Sequence, residues 1–230
     1  MEATKQFLSI RYEEKEGILQ TETITDTILA EYTFSVSING EFYQDFHCFP
    51  DCLDALVIGN LYTSGMISNL EDVLSYSIDQ EAGTGSFTVH KNPRQLQPLN
   101  EIPVIPEDIL PMSTKLLTSS KKFQVTGNVH SVMLCEGTTT LAFGEDVDRY
   151  NAFDKTIGKA LMEHVDFSKC SIYTTGRIPS QIAKRAIFSG VPILVSRSAP
   201  TDLSLALADK YHLSIVGFAR GTRMNIYHPL

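Results

Sequence analysis

The stretch SIYTTGRIPSQIAKRAIFSGVPILVS, residues 171–196, decides the fold. A short apolar run, SIYTT, is followed by a polar loop, a helical pattern from Ser180 and a second apolar run, VPILVS. Ser180 is a candidate N-cap, because Ser, Thr, Asp and Asn side chains accept the free amides of a first helical turn. Two such runs joined by a helix read as a βαβ unit with parallel strands. The pattern extends both ways: HSVMLC and TTTLAF precede it as strands around Glu136-Gly137, with a helix YNAFDKTIGKALMEHV. The helix TDLSLALADKYH and the strand LSIVGF follow. Strands alternating with helices of this length predict an α/β layer with a largely parallel sheet, covered on both faces.

The chain before this layer reads differently. EYTFSVSINGEFYQDFHCF holds two alternating runs around Asn39-Gly40, the pair that supplies the positive φ angles of a type I′ hairpin. PDCLDALVIGNLYTSGMI has helical spacing with Asp51 as a candidate N-cap, and DVLSYSID with GSFTVHK form a second hairpin pattern. The four prolines of NPRQLQPLNEIPVIP mark a linker, and EDILPMSTKLLTSSKKF reads as one helix with Pro111 near its start. The division is thus a smaller antiparallel, β-rich α+β part over 1–105 and an α/β part, a three-layer α/β/α sandwich, over 106–230.

Composition narrows the function classes. With 43% hydrophobic residues and no apolar run near the roughly 20 that a membrane span needs, the chain reads as soluble. No basic and apolar leader opens it, so a cytoplasmic location is expected. Cys48, Cys52, Cys135 and Cys170 contain no CxxC pair and fit reduced thiols. His47, Cys48 and Cys52 sit close in sequence but lack a fourth ligand nearby, so no zinc site is expected. Residues 1–120 carry 6 Lys and Arg against 18 Asp and Glu; residues 121–230 carry 13 against 9. The acidic whole argues against a nucleic-acid partner, whereas the basic second half suits a small anion.

In an open α/β sheet, ligands bind where strands run into helices. Those loops here are GEDVDRYN, TTGRIPS, SRSAPTD and FARGTR, and each holds an arginine: Arg149, Arg177, Arg197, then Arg220 and Arg223. Guanidinium forks and free amides at helix starts both favour oxyanions, so the repetition predicts a phosphate site at one rim. Glu145, Asp146 and Asp148 are the candidate internal partners for Arg149. Thr175, Gly176, Arg177, Ser196, Arg197 and Thr201 are candidate ligand contacts by loop position, and His130 opens a strand near them.

EDVDRYNAFDKTIG, TTGRIPSQIAKRA, GVPILVSRSAPTDLSLALA, VGFARGTRMNIY, FQVTGNVHSVML and PDCLDALVIGNLYTSGMI together resemble the FdhD/NarQ family of formate dehydrogenase accessory proteins. The resemblance covers residues from about 30 to 228 in order. It implies a cytidine deaminase-like fold, a homodimer, and a sulfur carrier that takes persulfide sulfur from a cysteine desulfurase. The recipient it implies is the bis-molybdopterin guanine dinucleotide cofactor of formate dehydrogenase. The family's cofactor stretch matches Phe218, Ala219, Arg220, Gly221, Thr222 and Arg223. Gly221 then lets backbone amides approach the nucleotide, while Arg220 and Arg223 supply charge.

Two departures from the family pattern bear on chemistry. The CGxCG loop that carries the persulfide in typical members is replaced by NPRQLQPLNEIPVIP, which has no cysteine, and EDVGRHNA becomes EDVDRYNA with Asp148 and Tyr150. No H-x-E or PCxxC element is present, so zinc deaminase chemistry is not expected. Two readings stay open: an accessory protein that still hands on sulfur, and a non-catalytic guanine-nucleotide or cofactor-binding module that has lost sulfurtransferase activity.

Overall fold

The computed structural model describes residues 4–227. In chain order the elements are β1 (Thr4–Lys15), β2 (Ile18–Leu29), β3 (Tyr32–Ile38), β4 (Glu41–Cys48), α1 (Leu53–Thr63), β5 (Val73–Asp79) and β6 (Thr84–Val89). Then come α2 (Pro106–Ser119), α3 (Lys121–Thr126), β7 (His130–Glu136), β8 (Thr139–Asp146), α4 (Arg149–Met162), β9 (Ser171–Thr174) and α5 (Ser180–Ser189). The last are β10 (Ile193–Ser196), α6 (Asp202–Tyr211), β11 (Ser214–Arg220) and β12 (Arg223–Tyr227).

The α/β part is a six-stranded sheet in the order β12-β11-β10-β9-β7-β8. Only β9, β10 and β11 pair in parallel; β7, β8 and β12 join antiparallel, so the sheet is mixed rather than largely parallel. The reason is connection length: β7–β8 and β11–β12 are joined by two-residue turns, which can only make antiparallel pairs. Strand alternation then sorts the side chains. Met133, Cys135, Tyr173, Ile193 and Val216 face α2 through Ile109, Met112 and Leu116. Val132, Leu134, Ile172, Leu194 and Ile215 face the opposite helices through Phe153, Ile157, Ile182 and Ala186. The result is an α/β/α layering.

A second sheet, β4-β3-β6-β5, is not wholly antiparallel as expected: its two hairpins are antiparallel, but they join through a parallel β3–β6 pair, and the sheet contributes Phe34, Val36, Phe46 and Phe87 to the same core that reaches Ile215. Between the two lies α1, buried on nearly every side, as a helix apolar all round must be. Its crossing with α4 is at backbone contact: a Cβ on Gly59 would lie 1.8 Å from the Asp154 carbonyl oxygen, and one on Gly158 1.9 Å from that of Ala55. The Asn39-Gly40 hairpin forms as expected, with φ of 53° and 83°. Asp51 does not cap α1. Cys52 takes the N-cap position in the left-handed region, and Asp51 turns instead to Lys122 and Lys155. The single helix expected over 107–123 is interrupted at Ser120, whose hydroxyl caps α3.

Residues 92–105 form no helix or strand, yet they are fastened down. Arg94 donates to the carbonyls of Tyr62 (2.7 Å), Phe188 (2.9 Å) and Ile67 (3.0 Å) and stacks 4.1 Å over the Tyr62 ring. Leu96 and Leu99 pack on the core between the sheets, and Ile102 and Val104 on the core under α2. This strap carries the chain from one layer to the other.

Candidate anion-binding site

β8, β9, β10 and β11 run in one direction, because β8 and β9 both lie antiparallel to β7 between them. Their carboxyl ends therefore meet at one rim, together with the start of β7. A cavity of about 410 Å³ opens there, lined by Gly127, Asn128, His130, Thr175, Arg197, Ser198 and Arg220, with Leu117, Phe123, Val129 and Val147 as its apolar wall. That volume lies in the range of small-ligand sites.

Arg197 and Arg220 give the cavity its sign. Neither has a carboxylate partner among the described residues. Arg197 donates to the Ser113 carbonyl at 3.3 Å and to its hydroxyl at 3.4 Å, and burial with the nearby Arg220 charge pulls its pKa below the ordinary value. Two like charges side by side repel unless an anion comes between them. Thr175 is held by its backbone to Ser131 and accepts the Ser131 amide on its hydroxyl oxygen, which leaves the O–H to donate. Burial, and then the Arg149 charge, push the His130 imidazole below its usual pKa, which favours its neutral form.

The other expected contacts divide clearly. Ser196 is fully buried and its hydroxyl is spent on the Gly176 carbonyl and the Ser198 amide. Thr201 caps α6 in a reciprocal pair with Ser204. Gly176 lies beside Arg149 and His130. Ala219 is buried with its carbonyl accepting from Ser113, and Phe218, at φ 55°, donates its amide to the Ser198 carbonyl across the irregularity in β11. Gly221, at φ 60°, and Thr222 form the turn from Arg220 to its strand partner Arg223. Arg177 and Arg223 are exposed and do not line the cavity.

Arg149 pairs with none of Glu145, Asp146 or Asp148. Its guanidinium lies 4.6 Å from the Tyr150 ring and donates to the Tyr150 hydroxyl at 3.1 Å, while its Nε is buried without a partner. Arg185, on α5, covers the same ring at 4.9 Å and is itself fixed by Asp154 at 3.0 Å. The loop acids are engaged elsewhere. Asp146 is fully buried and meets Lys155 at 2.7 Å, and Lys155 also reaches Asp51 and the Phe49 carbonyl at 2.7 Å each. Burial alone would lower the Lys155 pKa, but the two carboxylates hold it above the usual value. Lys122 closes the set on Asp51 at 2.8 Å.

Asn128 was not among the contacts expected from the sequence. It lines this cavity and a neighbouring one of about 540 Å³ that contains Asp148, Tyr150 and Arg185. The signal was the segment VTGNVH ahead of β7, but a rule that looks only at carboxyl ends of strands passes over the start of a strand running the other way.

The family model for FdhD/NarQ matches residues 82–229. Among curated relatives, the Sulfur carrier protein FdhD of Bacillus licheniformis is 29% identical over 94% of this chain and 92% of its own length. That of Staphylococcus aureus (strain MRSA252) is 29% identical over 89% of each. The crystal structure of a candidate formate dehydrogenase accessory protein from Desulfotalea psychrophila superposes with a TM-score of 0.83, covering 97% of this chain and 96% of that one at 24% identity. With the family model spanning well over half of its length, this chain belongs to the FdhD/NarQ family.

Proposed function

We propose that the protein supports maturation of a formate dehydrogenase by holding the guanine dinucleotide end of the bis-molybdopterin guanine dinucleotide cofactor in the Arg197–Arg220 cavity. One observation carries this reading: two arginines without carboxylate partners among the described residues face a cavity that also offers the Thr175 hydroxyl and the Asn128 amide. That donor set fits a diphosphate, which takes several charge-assisted hydrogen bonds at once. The cavity is of a size for one nucleotide end of the cofactor. The test is calorimetric titration with GDP. Saturable binding that Arg197→Ala weakens supports the reading; no saturation at millimolar GDP sinks it.

Transfer of sulfur from a cysteine desulfurase belongs to the same proposal, and one thiol is open to it. Burial pushes the thiols of Cys48 and Cys170 up to about 12 and that of Cys135 to about 11, which leaves them protonated and inert. Cys52 is half-buried at the start of α1. Incubation with a desulfurase and cysteine should add the mass of one sulfur atom to the intact chain and none to Cys52→Ser. An unchanged wild-type mass favours the second reading, a cofactor-binding module without sulfur transfer, as does the strap without cysteine.

A further inference from the structure

The N-terminal ribbon of β1 and β2 stands apart from both sheets. Among the described residues its twelve-residue strands pair only with each other, and an isolated two-stranded ribbon is marginal in water. One face is an apolar stripe of Leu8, Ile10, Tyr12 and Leu19, each more than 60% exposed, and Phe7 is half-exposed on the other face. Natural proteins seldom leave so long an edge open.

The edge of β1 is complementary to itself. The turn Glu16-Gly17, with φ of 54° and 79°, joins the paired residues Lys15 and Ile18. A two-residue loop of this kind is closed by a hydrogen-bonded pair, so the odd-numbered residues of β1 exchange bonds with β2. Thr4, Gln6, Leu8, Ile10, Tyr12 and Glu14 then turn their N–H and C=O groups to the open edge. Lay a second β1 antiparallel on that edge with Ser9 on the two-fold axis. Leu8 then meets the second copy's Ile10, and Gln6 its Tyr12, as hydrogen-bonded pairs. In the closer pairs between them, Lys5 faces Glu13 and Phe7 faces Arg11, each twice by symmetry.

No other nearby register does this. A shift of two residues either way sets Lys5 against Arg11 or against Lys15. β2 offers no alternative, because its only charges are Glu22 and Asp26. Glu13, which rests on Lys15 at 2.9 Å in the single chain, gains a second cation in the pair. We propose that the β1 edge is the surface by which two copies of this chain associate, centred on Ser9. A homodimer is what the family resemblance implies, but the surface follows from the charges and register of β1 alone and is independent of the cofactor reading.

Three measurements on the full chain test it. By sedimentation, the wild type should be a dimer at micromolar concentration. Lys5→Glu should weaken the dimer by about tenfold, and Lys5→Glu with Glu13→Lys should restore it. Ser9→Cys should form a symmetric interchain disulfide on mild oxidation, because directly opposed residues of a non-hydrogen-bonded pair have Cα atoms about 4.5 Å apart. Ile10→Cys, which faces Leu8, should not. A wild type that sediments as a monomer overturns the proposal, including one whose ribbon is protected only when a client enzyme is added. So does a dimer indifferent to the charge swaps and unlinked by Ser9→Cys, which would leave dimerisation standing and move the interface elsewhere.

Discussion

The Lys155 cluster and the Arg197–Arg220 pair lie at the same rim of the sheet, yet they are built on opposite rules. Around Lys155 every charge has an answering charge from the protein, and Asp146 also accepts from the amides of Phe49 and Asp148. At Arg197 and Arg220 the described residues supply no carboxylate, and two cations are set together. A buried charge must be neutralised for the chain to fold; a charge left unanswered beside a cavity keeps its attraction for a solute. The first region therefore belongs to stability, and the second is left free for the binding proposed above.

Mutation should separate them, and the largest effect should come from the first. Lys155→Met leaves Asp146 buried without its cation and should cost about 3–5 kcal/mol of folding stability in a denaturant titration. Arg197→Ala and Arg220→Ala should each leave stability within about 0.5 kcal/mol. Each should weaken GDP binding by about 1.5–3 kcal/mol, measured by calorimetry. If either arginine proves as costly to folding as Lys155, the contrast fails. Arg177→Ala and Arg223→Ala, at exposed positions outside the cavity, should change GDP affinity by less than about 0.5 kcal/mol.

The smallest effect lies in pH. The native state favours neutral His130, whereas the unfolded chain takes up the proton at the ordinary value of about 6.5. Its contribution is intact above that value and is lost as the pH falls through it towards the lower native pKa, since the unfolded state then binds more protons. Thermal melts between neutral and mildly acid pH should show this slope, and His130→Gln should flatten it. An unchanged slope would remove His130 from the buried wall of the cavity.

The rim itself was legible in the sequence because β8, β9, β10 and β11 each run into a loop with an arginine, and Thr175, Arg197 and Arg220 do converge. What failed was the assumption that each loop arginine turns inward. Arg177 precedes Ile178, which is fully buried and bridged to Pro200, and alternation sends its neighbour out to solvent. The partner of Arg149 was not legible either. Loop acids near in sequence were taken by Lys155 and by capping of α4, and an aromatic ring took their place. The sequence patterns also missed β1 and β2. With apolar residues on both faces of β1, no clean alternation of apolar and polar positions marks it out.

The Arg94 strap has its own consequence for the chemistry. A carrier with its reactive group on a free loop can swing that group from donor to acceptor, like a crane. Here the corresponding stretch is moored at several points along its length, and no crane is available. On the sulfur-transfer reading proposed above, both the giver and the receiver would have to come alongside a stationary berth.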